Sequence, residues 1–530
     1  MADTIKHRMK HINTYTIVCI GLMLLCVGFI IHRAWLCDDS YITFRTLDNF
    51  VNGFRLTWNT YERVQGFTHP FWLFLLIPIY AVTKHVYLTV IGVSVMLAAS
   101  ALVILYKSVE NKKNLIIPFL ILAFSNAFID YSTSGLENSL LNLLFAICLS
   151  LYFKEEKIRH FDFWFYFISS LVILTRMDTF LILLPAVIFV FFTRKASVGK
   201  KALTLLVGFA PAILWELFSL FYFGFPFPNT FYSKLTAGFP LVDYLIRGSA
   251  YLFDTITRDP VTFLGLLLGA FFLFIAPRKL KPISIGILLY FFYVIYIGGD
   301  FMSGRMYASL LFVSVFLFAQ YRVVFSTLKL LVLSVVILIL GFLAECPSPF
   351  LLSKYDKSNT AFQIVDERRA YSYATGLFRD NTFNIDISLD EGICGHCGLK
   401  TAIAERESGI VKTQFPKIVS NIGFLGYYAG PDARIIDTIG LTDALLARLP
   451  ATYEPLWRVG HLYREVPEGY ALSIYDQSNH LRNPNLEEYN SHLIVLTQAS
   501  LFSKGRLLEI LRFNLGYYNY LLEFDAPSGD

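Results

Sequence analysis

A series of apolar runs, each about 15 to 23 residues long and filling the first two thirds of the chain, constrains this sequence more than any other feature. As helices, runs of that length match a hydrocarbon core about 30 Å thick. The rest of the composition agrees. Of 530 residues, 55% are hydrophobic and 16% are charged, where a soluble domain carries about 25% charged residues. Many Phe and Tyr lie near the ends of the runs, as in an interfacial aromatic belt. No basic stripe exists outside short loops, so a nucleic-acid partner has no support. The reading is a mostly α, multi-span membrane protein.

Spanning helices are expected near 15–32, 86–106, 115–130, 138–153, 161–176, 178–193, 201–223, 261–276, 282–297, 307–320 and 326–345, about 11 in all. The first is read as retained, because no small-residue cleavage site follows it. Basic clusters at Lys6/Arg8/Lys10, Lys107/Lys112/Lys113, Lys154/Lys157/Arg159, Arg194/Lys195/Lys200/Lys201 and Arg278/Lys279/Lys281 all fall on one side if Phe71–Val82 does not cross. That run has about twelve residues and reaches roughly 18 Å as a helix, too short to span. Every polar, motif-like segment then lies opposite the basic clusters, and so does the tail. The division is 1–345, a transmembrane domain, and 346–530, an outer α/β domain. In the tail, Asn384–Leu389 and Arg434–Asp437 read as strands, Ile418–Gly430 as strand, turn and short helix, and Thr442–Leu449 as a helix.

The candidate site residues lie on that outer side. Asp38 and Asp39 are adjacent carboxylates whose repulsion raises one pKa unless a cation or donor is near. Such a pair suits a general base or a divalent cation; the plainer reading is a helix cap. The loop that follows holds Trp58, Asn59, Glu62, Arg63 and His69. Glu137, at a helix end, is either dipole-stabilised or paired in a polar cavity. Arg176 and Asp178 form either a local ion-paired turn or a phosphate-facing arginine. In Gly298–Arg305, Asp300 and Arg305 stand among three glycines that allow close backbone approach to a ligand. Phe225–Thr230 reads as stiff and extended, either an ordinary Pro-rich boundary or the rim of a lipid-facing groove with Lys234 beyond it near an anionic headgroup. Cys394-Gly-His-Cys397 reads first as a structural disulfide, since no second CxxC supports zinc. His461 reads as a structural histidine.

These motifs resemble one family. Asp38-Asp39-Ser-Tyr-Ile-Thr-Phe-Arg45, Trp58-Asn59 and Glu62–Pro70 look like the first external loop of AftB-type arabinofuranosyltransferases, multi-span enzymes of the GT-C class. Ser134–Glu137, Leu174–Asp178, Phe227–Lys234 and Gly298–Arg305 are similar to further motifs of that family, as are Gly426-Tyr-Tyr428, Ile436–Asp443 and Gly460-His461 in the tail. Met177, Ser303 and Phe67 depart from it. The resemblance implies a polyprenyl-phosphate sugar donor, in known members decaprenyl-phosphate arabinofuranose. It implies an acceptor, glycan or protein, at the periplasmic face of a bacterial inner membrane, with Asp38 or Asp39 at the reaction centre. The Phe-, Lys- and Ile-rich composition differs from the Ala/Arg-rich mycobacterial members and points to a Gram-negative one.

The expected chemistry is transfer of a sugar, D-arabinofuranose by the resemblance. Arg176, Arg305 and Lys234 meet the leaving phosphate, with Asp300, Glu137, Arg63 and His69 lining the donor site. Two rivals are a flippase of lipid-linked sugars and a membrane-anchored glycan-binding scaffold. The first calls for mid-membrane polar residues and inverted repeats, and no repeat is visible. The second leaves the acidic pair and the Gly-Gly-Asp loop without purpose.

Overall fold

The computed structural model describes residues 13–275, 277–321, 326–345, 349, 362–378, 399–408 and 415–522. The chain is mostly helical and forms two compact units. The first comprises Met1–Leu36, Tyr87–Pro211 and Leu241–Thr382, and the second Cys37–Val86, Ala212–Pro240 and Phe383–Asp530. The second unit thus joins Cys37–Val86 and Ala212–Pro240 to the tail.

In the first unit the apolar runs are helices. Thr14–His32 and Val86–Ser108 are long and apolar enough to cross a membrane. Asn138–Phe153, Phe161–Thr175, Lys281–Tyr296, Arg305–Gln320 and Thr327–Leu343 are apolar but shorter, at 15 to 17 residues, or about 24 Å. Two of the expected spans are interrupted. The 115–130 run breaks at Ser125, whose hydroxyl caps the next helix by accepting from the Phe128 N–H at 3.0 Å. The 201–223 run breaks at Phe209, between Val198–Gly208 and Ala210–Tyr222.

The helix Leu241–Arg258 has no counterpart in the expected set. It turns by 113° into Pro260–Ile275. Its apolar Leu241, Val242, Leu245, Ile246 and Phe253 are exposed, while Arg247, Tyr251, Asp254 and Arg258 are buried. A search for uniformly apolar runs passes over such a segment. Its polar stripe holds the Gly298–Arg305 loop. The Tyr251 hydroxyl donates to the Met302 carbonyl at 3.0 Å and accepts from the Met306 N–H at 3.1 Å. Ser303 donates to Asp254 at 2.6 Å, and Asp254 pairs with Arg258 at 2.9 Å.

The second unit is built on the tail. Lys417–Val419 pairs in parallel with Ile435–Asp437, Ile418 opposite Ile436, and the helix Gly423–Ala429 lies in the connection between them. Ile42 and Trp58 of the early loop pack with Ile422, Leu425 and Ile435 in one core cluster. A second cluster joins Leu445 and Leu446 to Tyr489, Leu493 and Leu496. The expected helix over Thr442–Leu449 is only a single 3-10 turn, Leu446–Arg448. Asp437 accepts the N–H groups of Ile439 and Thr442 at 3.0 and 2.9 Å, and Asp443 accepts that of Leu446 at 2.8 Å. These side chains take the amides that an α-helix would use. Asn384–Leu389, Cys394 and Cys397 lie outside the described residues.

Two glycines set how closely three helices pack in the first unit. A Cβ at Gly248 would strike the Ile295 carbonyl, and one at Gly286 would strike the Ile182 carbonyl. Lys281–Tyr296 is therefore in backbone contact on both sides, as small residues permit between membrane helices. Gly286→Leu should destabilise the protein by about 3 kcal/mol, since an overpacked interface must part. Gly21→Leu, with nothing within 4 Å of its Cβ, should leave stability unchanged. Thermal unfolding of the two variants side by side in detergent checks both.

Candidate functional site

In the first unit, five of the residues singled out from sequence come together. Glu137 precedes the helix Asn138–Phe153 and is 1% exposed. Arg176 follows the helix Phe161–Thr175, and the next turn returns Asp178 beneath it. Arg176 binds Asp178 through two hydrogen bonds, Nε to Oδ1 at 2.9 Å and Nη2 to Oδ2 at 3.1 Å. Its Nη1 donates to Glu137 Oε1 at 3.0 Å. The Arg305 guanidinium lies 3.4 Å from Asp300 and 3.9 Å from the same Glu137 oxygen. The ion-paired turn read at Arg176 is present, and the same guanidinium also reaches a carboxylate 39 residues away. Except for Glu137, these side chains remain 12 to 17% exposed, so water or a ligand reaches them.

The loop carrying Asp300 and Arg305 is held from two sides. Besides the Tyr251 contacts, the Ser303 N–H donates to the Val365 carbonyl at 3.0 Å, and the Val365 N–H donates to Phe301 at 2.8 Å. Two of the loop glycines are required by packing. Gly299 adopts φ +74°, and a Cβ there would enter the Tyr251 ring. Gly304, at φ +78°, sits against Ala127 and starts the helix Arg305–Gln320.

In the second unit the acidic pair divides its roles. Asp38 opens the helix Asp38–Val51 and is 8% exposed. Its carboxylate accepts the N–H of Phe424 at 2.7 Å and of Gly423 at 3.3 Å. The capping reading therefore holds for Asp38, although the helix it caps lies in the tail and is not its own. Asp39, the next residue, is partly exposed. Among the described residues no group of three or more His, Cys, Asp or Glu gathers as a metal ion would require.

The other residues expected in this loop have structural partners. Arg63 donates to the carbonyls of Tyr222, Leu496, Gln498 and Ala499, stapling the early loop to the tail. His69 bonds Thr43 at 2.7 Å and precedes the helix Pro70–Thr83. Lys234 is exposed in the last turn of Asn229–Leu235, where the helix dipole favours a cation. Phe225–Thr230 is not the expected extended segment: Phe225–Phe227 bend, and Asn229 already begins that helix. His461 sits in the tight turn opposite Arg458, and burial with the neighbouring Arg458 pushes its pKa down to about 3, so it is neutral at pH 7.

Sequence reasoning missed the polar interior of this unit. Arg45 is buried and donates to three backbone carbonyls. Asp443 is buried, accepts from the Tyr470 hydroxyl at 3.0 Å, and lies near Glu62. Burial lifts Asp443 to about 7 and raises Glu62 well above the usual carboxylate range, with each further raised by a neighbouring acid. Thr442-Asp443 in the tail and Glu62 in the early loop were both visible as motif residues, but their proximity was not.

No family model matches the chain. It is similar to a protein of Mycobacterium tuberculosis named terminal beta-(1->2)-arabinofuranosyltransferase, at 25% identity over 519 residues, covering 81% of this chain and 80% of that one. The likeness supports a transferase of the glycosyltransferase kind, and the apolar helices point to a membrane. The relative is mycobacterial and lends no support to a Gram-negative origin.

The raised acids give the second unit a pH dependence of definite sign. A carboxyl whose folded pKa lies above its unfolded value adds stability below the unfolded pKa. That stability is lost as pH rises through the folded value. Resistance to proteolysis in Gly423–Leu449 should therefore fall between about pH 4 and 7, and Asp443→Asn should flatten the decline. A wild-type profile that rises over this window would refute the sign.

Proposed function

We propose that the chain is an integral membrane glycosyltransferase that moves a sugar, D-arabinofuranose on the strength of the relative's name, from a polyprenyl-phosphate donor to a glycan or protein acceptor. The reading places the reaction at the outer, periplasmic face of a bacterial inner membrane, with the basic clusters inside. It keeps 1–345 as a membrane domain of GT-C type and 346–530 as an outer domain.

The observation that carries it is the cluster of Glu137, Arg176, Asp178, Asp300 and Arg305. Carboxylates alternate with guanidiniums there, which suits a sugar phosphate. Sugar hydroxyls donate to carboxylates, and phosphate oxygens accept from arginines in bidentate fashion. One more carboxylate than guanidinium is present, so an anion gains only if arginine donors turn to it from Asp300 or Asp178. Arg305, at 3.4 Å from Asp300, holds the looser pair and is the better candidate to turn.

In the reaction, the bond between the anomeric carbon and the donor's phosphate oxygen breaks, and the electron pair leaves with the polyprenyl phosphate. Arg305 and Arg176 stabilise the charge growing on that phosphate. The acceptor hydroxyl oxygen bonds to the anomeric carbon, and its proton passes to a carboxylate. Asp39 is assigned that role, because Asp38 already accepts two backbone amides.

Two measurements follow. Asp39→Asn should lower kcat by about 10²- to 10⁴-fold with an unchanged unfolding midpoint. Asp38→Asn should cost about 1 kcal/mol of stability, as caps do, with a smaller effect on turnover. A fully active Asp39→Asn enzyme would end this assignment. Separately, Arg305→Gln should raise KM for a synthetic polyprenyl-phosphate arabinofuranose tenfold or more, the equivalent of a charge-assisted bond worth about 1.5 to 3 kcal/mol. Titration of the donor against both proteins reads this directly.

A further inference from the structure

Glu62 is used by neither cluster above, and its surroundings are unusual for a structural carboxylate. It is 4% exposed, Asn59 and Tyr61 hydrogen-bond its carboxyl, and its Oε1 has no hydrogen-bond partner among the described residues. A buried polar atom left unmade is costly and calls for a partner. Glu62 lines a cleft within the second unit together with Tyr61, Tyr470, Ser473, Asn490 and Gln498. The open space is about 30 Å³, room for one or two water-sized groups.

The lining narrows what could enter. Its polar groups are hydroxyls, amides, a carboxyl and two phenols, set beside apolar Ala444, Leu445, Ile474, Leu493 and Ile494, with no lysine or arginine among the lining residues, so an anion is not favoured. Glu62 stands near Asp443, and burial keeps a proton on the pair well above the usual carboxylate range. A proton-bearing carboxyl both donates and accepts, as do amides and serine. A hydroxyl group, itself donor and acceptor, satisfies such a lining. An apolar group would leave Oε1 unpaired.

We infer that the Glu62 cleft is a binding subsite for a hydroxyl or hydroxymethyl group at the end of a neutral glycan. The space admits the end of a sugar residue and not a whole ring. The choice of sugar as the ligand class rests on the glycosyl-transfer reading; the cleft and its unpartnered acceptor do not. An exogenous neutral sugar would enter from the side of Gln477, an exposed residue that completes the lining.

The test uses the full chain in lipid nanodiscs, with methyl arabinofuranoside and methyl glucopyranoside as probes and saturation-transfer NMR as the readout. At least one glycoside should bind, with transfer strongest at its hydroxymethyl protons. Glu62→Leu should weaken that binding tenfold or more. Gln498→Leu, at a partly exposed position, should weaken it as well and decides the matter if Glu62→Leu does not fold. Gly21→Leu should bind as the wild type does. The inference is overturned if neither glycoside binds, if binding survives in a folded Glu62→Leu or in Gln498→Leu, or if calcium ions displace the glycosides from the wild type. Glycoside binding without any sugar transfer would remove the proposed function and leave the subsite standing. Transfer activity in a chain that binds no glycoside would do the reverse.

Discussion

The second unit depends on one buried guanidinium. Arg45 is 1% exposed, and it donates to the carbonyls of Trp58, Gly426 and Ala433 at 2.9, 2.7 and 2.8 Å. It also lies 4.1 Å over the Trp58 ring. Burial lowers its pKa to about 9, which leaves it charged at neutral pH. Taking a full charge out of water is tolerable only when its donors are met. Here they are met by the end of a loop, a tail helix and the approach to a strand. Removing any of the three strands a charge in the core, so the early loop and the tail fold as one object. Arg63 and Arg506 repeat the device, both donating to Leu496 and Tyr222 carbonyls.

The first unit holds its charges differently. Its helices pack through apolar surface and glycines, and charge is gathered at loop ends around Glu137. The inside-out helix Leu241–Arg258 belongs to the same arrangement. Its exposed apolar face suits lipid, and its buried polar stripe positions the loop that carries Asp300 and Arg305. That loop is thus fixed by partners remote in sequence, while its own glycines let Tyr251 and Ala127 come close.

Much of this was legible in the sequence, and the limits have physical causes. Apolar runs mark helices because burial or lipid demands them, and each expected segment is helical over most of its length. Breaks at Ser125 and Phe209 were not visible, since hydropathy does not register a capping hydroxyl. The motif residues of the second unit have close packing partners in the structure. Asn229 donates to Gly440 and Asp443, Ser233 to Ile439, and Trp58 lies against Gly426. They are one another's partners. Pairings across 200 or more residues leave no local signature, so Arg45, Glu62 with Asp443, and the stapling role of Arg63 could not be read. Asp38 and Asp39 were equivalent in sequence, and only the amides of Gly423 and Phe424 tell them apart.

The capping of one segment by the first residue of another also limits how the chain can vary. Successive helical residues point about 100° apart. Asp38 faces the tail amides only because the helix begins where it does, at Cys37. A single residue lost at that start would bring Asp39 to the place of Asp38 and swing Asp38 away from Gly423. It would also rotate Arg45 off its three carbonyls. Length changes are therefore forbidden at Cys37, while Gly53, beyond the helix end and exposed, can absorb them. Natural variants of this chain should carry their insertions after Asn52 and none between Leu36 and Arg45.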